Sequence, residues 1–115
     1  MKYLYLLYAD ESKMPHPGTP AFDAQNNAFN DYFAEIDRKG MFKAGDPVQA
    51  SKTSKTVRVR NGSTQSESGP FVKGGDQLVG FYVIEAQDLD EAVEYAAKCP
   101  VAQVGAMEVR PILQM

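Results

Sequence analysis

A chain of 115 residues with 43% hydrophobic and 23% charged side chains is sized and composed for a single globular domain, residues 1–115, with a core of its own. Its net charge of -3 and pI near 5.1 argue against the basic face on which nucleic-acid binders rely, and no segment reaches the ~20 apolar residues of a membrane span. The single cysteine, Cys99, excludes an internal disulfide and a cysteine-cluster metal site, and it fits a reducing, cytoplasmic setting.

The opening MKYLYLLYAD is too short and too rich in tyrosine for a secretory signal, and no small-residue cleavage site follows it. It reads as the first strand, Tyr3 to Tyr8. Three prolines and a glycine make ESKMPHPGTP a loop. The first helix opens with Thr19 as N-cap and Pro20 at its first position. Phe22, Phe29, Phe33 and Ile36, with Tyr32 alongside, are spaced to form one apolar face, and Gly40 closes the helix. Met41 to Ala44 reads as a strand, ended by a break at Gly45-Asp46-Pro47. The string KTVRVRNGSTQSE reads as a hairpin, since Asn61-Gly62 suits a two-residue turn matched to strand twist. The basic cluster Lys52, Lys55, Arg58 and Arg60 then falls on a solvated loop and edge strand rather than a phosphate track.

Leu78 to Glu85 is a strong strand. The second helix carries a capping box, Asp88 with Glu91, and a face of Leu89, Ala92, Val93 and Ala96. Pro100 ends it, and Ala106 to Ile112 forms the last strand. The order β-α-β-(hairpin)-β-α-β is the α+β, ferredoxin-like pattern: an antiparallel sheet with both helices on one face and an additional hairpin.

Such a sheet should alternate apolar and polar residues along each strand. Tyr3 to Tyr8 and Val79 to Ile84 do not; both are apolar or aromatic on each face. The helices cover only one face, so the expectation is a homodimer with its two sheets packed against each other. In the last strand Met107, Val109 and Pro111 point one way, and Glu108 and Arg110 the other. With the apolar set toward the helices, Glu108 and Arg110 lie on the dimer side, where they pair or hold a polar ligand.

The segments MKYLYLLYADE, TVRVRNG, SGPFVKGGDQLVGFYVIEAQDLDEAVEYAAKCP and GAMEVRPI span most of the chain. In them the chain resembles the YCII-related family, in the branch marked by a DGPF motif. The resemblance implies a dimeric α/β-barrel on a ferredoxin-like fold. Some relatives are encoded near extracytoplasmic-function sigma factors, which implies a regulatory or stress context. Two departures matter. Ser68 replaces the first Asp of the motif in Ser68-Gly69-Pro70-Phe71, so a role that needs that charge does not transfer. The His-Asp pair of the nominal YCII branch is missing too: the first helix has no His, and Cys99-Pro100 stands where Asp-Pro would.

Candidate chemistry is sparse. His16, the only histidine, lies in a proline-rich loop near Asp10 and Glu11, which makes Asp10 with His16 the best acid–base pair on offer. Cys99 at a helix C-terminus reads as a packing residue. No His/Cys/carboxylate spacing suggests a metal, the capping box accounts for Asp88, Asp90 and Glu91, and Gly69, Gly74 and Gly75 fit no phosphate loop. No cofactor is therefore expected. Asn61-Gly62-Ser63 matches a glycosylation sequon, but reads as the hairpin turn. The SGPF turn is a corner into the central strand with Phe71 as an inward plug, and also a rim of a dimer-lined pocket with Asp10, Asp46 and Tyr82. Candidate ligand-binding residues are Asp10, Asp46, Ser68, Phe71, Tyr82, Glu108 and Arg110. Two functions are open: a dimeric small-molecule-binding or regulatory accessory protein, or a small enzyme with an Asp/Tyr/Arg-lined cavity.

Overall fold

The computed structural model describes residues 1–114. Strand β1 (Lys2–Ala9) sits inside the sheet because it has two usable faces. Tyr3, Tyr5, Leu7 and Ala9 are buried toward the helices, while Leu4, Leu6 and Tyr8 are half-buried on the other side. β1 pairs antiparallel with β5 (Gln77–Glu85) on one edge and β6 (Ala106–Pro111) on the other. β2 (Phe42–Pro47) pairs antiparallel with the far edge of β5, giving the order β2-β5-β1-β6. This is the α+β arrangement expected of a split βαβ chain.

Helix α1 (Pro20–Arg38) starts as the capping signals require: the Phe22 amide donates to Thr19 Oγ1 at 3.2 Å, with Pro20 at the first position. In α2 (Leu89–Ala96) the Glu91 amide donates to Asp88 Oδ1 at 2.9 Å, and the Glu91 carboxylate accepts from the Gln87 amide at 2.9 Å. Both helices lie on the Tyr5 face, and two buried hydroxyls tie them there. Tyr5 donates to the Ala92 carbonyl at 2.5 Å, and Tyr32 to the Tyr95 carbonyl at 3.0 Å. A phenol can enter a core when its polar end finds a partner.

Four local expectations change. The break at Gly45-Asp46-Pro47 is instead the second half of β2, with Gly45 opposite Tyr82 and Asp46 opposite Phe81. A proline is tolerated there because β2 is an edge strand and its outer side needs no ladder donor. The face α2 buries is Ala92, Tyr95 and Ala96; Leu89 and Val93 are exposed. Small alanines let that helix lie close to the sheet, so its larger aliphatic residues ride outside. Pro100 does not end the helical region: it caps a short helix, α3 (Val101–Val104), whose Val101 is fully buried. Finally, the apolar face of α1 is core only in part. Ile36 and Tyr32 are buried, but Phe22 and Phe29 are half-buried and Phe33 is 40% exposed.

Strands β3 (Lys55–Arg60) and β4 (Ser63–Ser68) form the expected hairpin, turning at Asn61 (φ 52°) and Gly62 (φ 77°). They pair with each other and with no other strand. The radius of gyration is 16.0 Å, against about 13 Å for a compact chain of this length, and the extents are 47 × 44 × 19 Å. The molecule is a flat body with an arm.

Candidate functional site

The open aromatic stripe of α1 and the edge of the sheet enclose a cleft of about 860 Å3. Phe22, Phe29 and Phe33 of α1 form its roof, and Phe42, Tyr82 and Val79 of the sheet form its floor. Met14, Pro15 and Pro17 of the loop after β1 close one end. Phe33 and Phe42 meet edge to face at 4.7 Å, Phe42 and Tyr82 at 6.1 Å, and Tyr82 and Tyr32 at 5.8 Å. This ring-to-ring series holds the floor rigid where no side-chain hydrogen bond does.

Gly45 makes the floor possible. A Cβ at that position would sit 2.6 Å from the Tyr82 ring and 2.7 Å from the Phe81 carbonyl oxygen. Glycine thus lets Tyr82 lie flat across the edge strand. Among the described residues the Tyr82 hydroxyl makes no side-chain hydrogen bond, and burial pushes its pKa up to about 12. It is a neutral polar handle in an apolar wall.

Glu11 braces the rim. Its two carboxylate oxygens accept from the Ser51 amide (2.7 Å) and the Ser51 hydroxyl (2.5 Å). This joins the loop after β1 to the connector that follows β2, forty residues away in sequence. Gln25, Asn26 and Asn30 of α1 add uncharged polar groups to the roof edge.

The residues singled out from sequence do not form one site. Tyr82 lines the cleft; Asp46 borders it along the edge strand, exposed, and its pairing with Phe81 puts its side chain on the opposite face of the sheet. Asp10 lies beside it, in a shallower depression of about 520 Å3 that shares Met14, Pro15 and Gln25 with the cleft. There Asp10 caps a short 3₁₀ turn (Glu11–Lys13), accepting from the Ser12 hydroxyl (2.7 Å) and amide (3.0 Å). Those two bonds hold its carboxyl below the usual range. His16 is exposed, and neither an ion pair nor a hydrogen bond joins it to Asp10 among the described residues. The acid–base pair is therefore not assembled: Asp10 is spent on capping, and the prolines on both sides of His16 carry it outward.

Ser68 and Phe71 belong to the arm. Gly69 (φ 103°) adopts a conformation that glycine tolerates best, its amide donating to the Ser54 carbonyl (2.8 Å) and its own carbonyl accepting from Thr56 Oγ1 (2.9 Å). The Ser68 hydroxyl accepts from Lys55 Nζ (2.9 Å). The turn is a corner, as expected, but Phe71 is no inward plug. It is 69% exposed and lies under the Arg58 guanidinium at 5.0 Å. Glu108 and Arg110 pair with each other on the face away from the helices, opposite Leu6 and Leu4. That pairing raises the Arg110 pKa. Cys99 is fully enclosed, and burial pushes its thiol up to about 11. Among the described residues no group of three or more His, Cys, Asp or Glu is placed to hold a metal ion, and no helix is long and apolar enough to cross a membrane.

Sequence reasoning missed Glu11 as a brace, Gly45 as a spacer, and the phenylalanines as cleft walls. The phenylalanine periodicity was visible, but it shows only that a face is apolar, not whether a solid core or a space lies beneath it.

The model of the YCII-related domain matches residues 1–115. The chain belongs to this family. A relative described as an uncharacterized protein, from Rhizobium meliloti (strain 1021), is 31% identical over 122 residues, covering 97% of this chain and 92% of that protein. This YCII-related chain also resembles a solved structure, that of 5-chloro-2-hydroxyhydroquinone dehydrochlorinase from Burkholderia phenoliruptrix AC1100 in complex with 2,5-dihydroxybenzoquinone. The TM-score is 0.54 at 17% identity, over 100% of this chain and 96% of that one. At that identity the likeness concerns the fold.

Proposed function

We propose that this YCII-related protein is a small-molecule-binding accessory protein of the cytoplasm, in the DGPF branch, and that the cleft between α1 and the β2–β5 edge is its ligand site. The observation that carries this reading is the cleft itself: about 860 Å3, aromatic on two sides, with the Tyr82 hydroxyl unengaged. Ligand sites are typically concave and apolar, with a few placed polar groups. A ring-sized ligand fits these walls, and the solved fold relative was captured with such a ring bound.

The working form is a homodimer with sheets packed face to face as a dimeric α/β-barrel. Leu4, Leu6, Phe81 and Val83 support it: they leave a half-buried apolar patch on the face away from the helices. The enzymatic alternative has the dehydrochlorinase fold relative in its favour. It requires Asp, Tyr and Arg to converge. Within one chain, however, Tyr82 shares the helix-side face with Tyr5, and Arg110 shares the opposite face with Leu4. Binding without catalysis is therefore the reading the geometry favours.

The test pairs ligand-observed NMR of neutral phenols and benzyl alcohols with native mass spectrometry. Wild-type protein should bind them and run at twice 12.7 kDa. Asn26→Trp, which fills the cleft from an exposed helix position, should abolish binding while the melting temperature holds. Binding untouched by Asn26→Trp would refute the cleft, and a stable monomer would refute the barrel.

A further inference from the structure

The cleft has a charge as well as a shape. Its lining includes the Glu11 carboxylate and no Lys, Arg or His among the described residues; Asp46 borders it only along the edge strand, since it pairs with Phe81 and its side chain leaves on the opposite face. The chain has twelve Lys and Arg, so their absence here is a matter of placement. Five of them (Lys52, Lys55, Arg58, Arg60 and Lys73) fall on residues 51–74, which hold one acid, Glu67. That segment carries +4 and leaves -7 on the rest of the chain. Lys39 and Lys98 lie over the Tyr95 ring, and Lys13 lines the neighbouring depression but not the cleft.

From this placement we infer that the cleft selects its ligand by charge, taking an aromatic ring that bears an ammonium group and rejecting ring carboxylates and phosphates. The inference rests on the cleft being the ligand site. An anion entering it would lose water and meet the Glu11 carboxylate with no cation to compensate. A cation meets the opposite situation. The rings of Phe33, Phe42 and Tyr82 stand edge to face, so each ring's negative face adjoins a neighbour's edge or the open space, and a cation is drawn to such faces. Both oxygens of Glu11 are held by Ser51, so its carboxylate is fixed in place. Gln25, Asn26 and Asn30 offer amide oxygens to the remaining N–H groups.

Three matched probes test it by calorimetry or NMR titration: 2-phenylethylammonium, 2-phenylethanol and 3-phenylpropionate. The expected order is cation, neutral, carboxylate. The two extremes should differ by about tenfold in Kd at low salt, as one partly screened charge contact gives. That gap should shrink at about 1 M salt, where charges more than ~3 Å apart are screened. Equal binding of the three, or preference for the carboxylate, with all binding lost in Asn26→Trp, overturns the charge inference and leaves the cleft as the site. A gap that survives high salt also overturns it. Absence of binding by every probe, or binding indifferent to Asn26→Trp, refutes the cleft reading and this inference with it.

Discussion

Val59 of β3 and Ile84 of β5 are β-branched residues in antiparallel strands of one short chain. Ile84 is fully enclosed, whereas Val59 is 57% exposed and Val57, two residues earlier on the same hairpin face, is 61% exposed. Propensity and turn chemistry made both strands; only one of them has a layer above it. β5 lies between β1 and β2 with helices over it, while β3 has only β4 for a neighbour. An isolated two-stranded hairpin is marginally stable in water. The body thus draws its stability from burial, and the arm from its turn and its root. Strand formation and strand burial are separate questions, and a local pattern speaks mainly to the first.

The largest effect should come from the body. Ile36→Ala removes a fully buried side chain beneath α1 and should cost about 2–5 kcal/mol in urea unfolding. Val59→Ala should stay within about 0.5 kcal/mol, as exposed positions do. A Val59→Ala loss approaching that of Ile36→Ala would break the contrast, and would mean that the arm is covered in solution by a second copy.

Tyrosine ionisation should act on the body alone, because all six tyrosines lie outside the arm. Burial raises Tyr5, Tyr32 and Tyr82 above their ordinary value near 10, Tyr82 to about 12. The native state therefore holds protons that the unfolded chain gives up. The stability this provides is fully present below pH 10 and is lost as pH rises through the folded values. Absorbance titration should show three tyrosines ionising late, and unfolding of the body should follow them. Six tyrosines ionising together near pH 10, with the fold intact, would contradict the packing around Tyr5 and Tyr32.

The smallest effect belongs to the turn. Phe71→Ala removes the Arg58 contact and should loosen the hairpin by about 0.5–1 kcal/mol, the range of exposed cation–π pairs. Amide shifts should move in β3 and β4, with the melting temperature of the body unchanged. Shifts reaching β5 or α1 would show that the arm and the body are coupled.

The same division governs what was legible in advance. Two-faced β1 and β5, both capped helices and the Asn61-Gly62 turn depend on residues close together in sequence, and all are present. Phe71, the α1 phenylalanines and the Gly45–Pro47 segment depend on what lies opposite them. Gly-Asp-Pro punctuates a chain equally well as a turn or as the end of an edge strand, and only pairing with β5 decides. For the site, Tyr82 falls on the cleft because it sits on the paired edge facing α1, while Asp46, one position past Tyr82's partner Gly45, faces the other way. Asp10 and His16 were joined by nearness in sequence, and the prolines on either side of His16 undo that nearness.

Cys99 has a practical consequence. It is the only thiol in the chain, wholly enclosed, with a pKa near 11, and so largely protonated and out of reach at neutral pH. The natural protein thus already behaves toward alkylating dyes much as a cysteine-free variant would. A single cysteine placed at Val59 would take a spin label or fluorophore by itself, with no background site to remove. Distances from the tip of the arm, within a molecule or between two, are then open to direct spectroscopic measurement without disturbing the core.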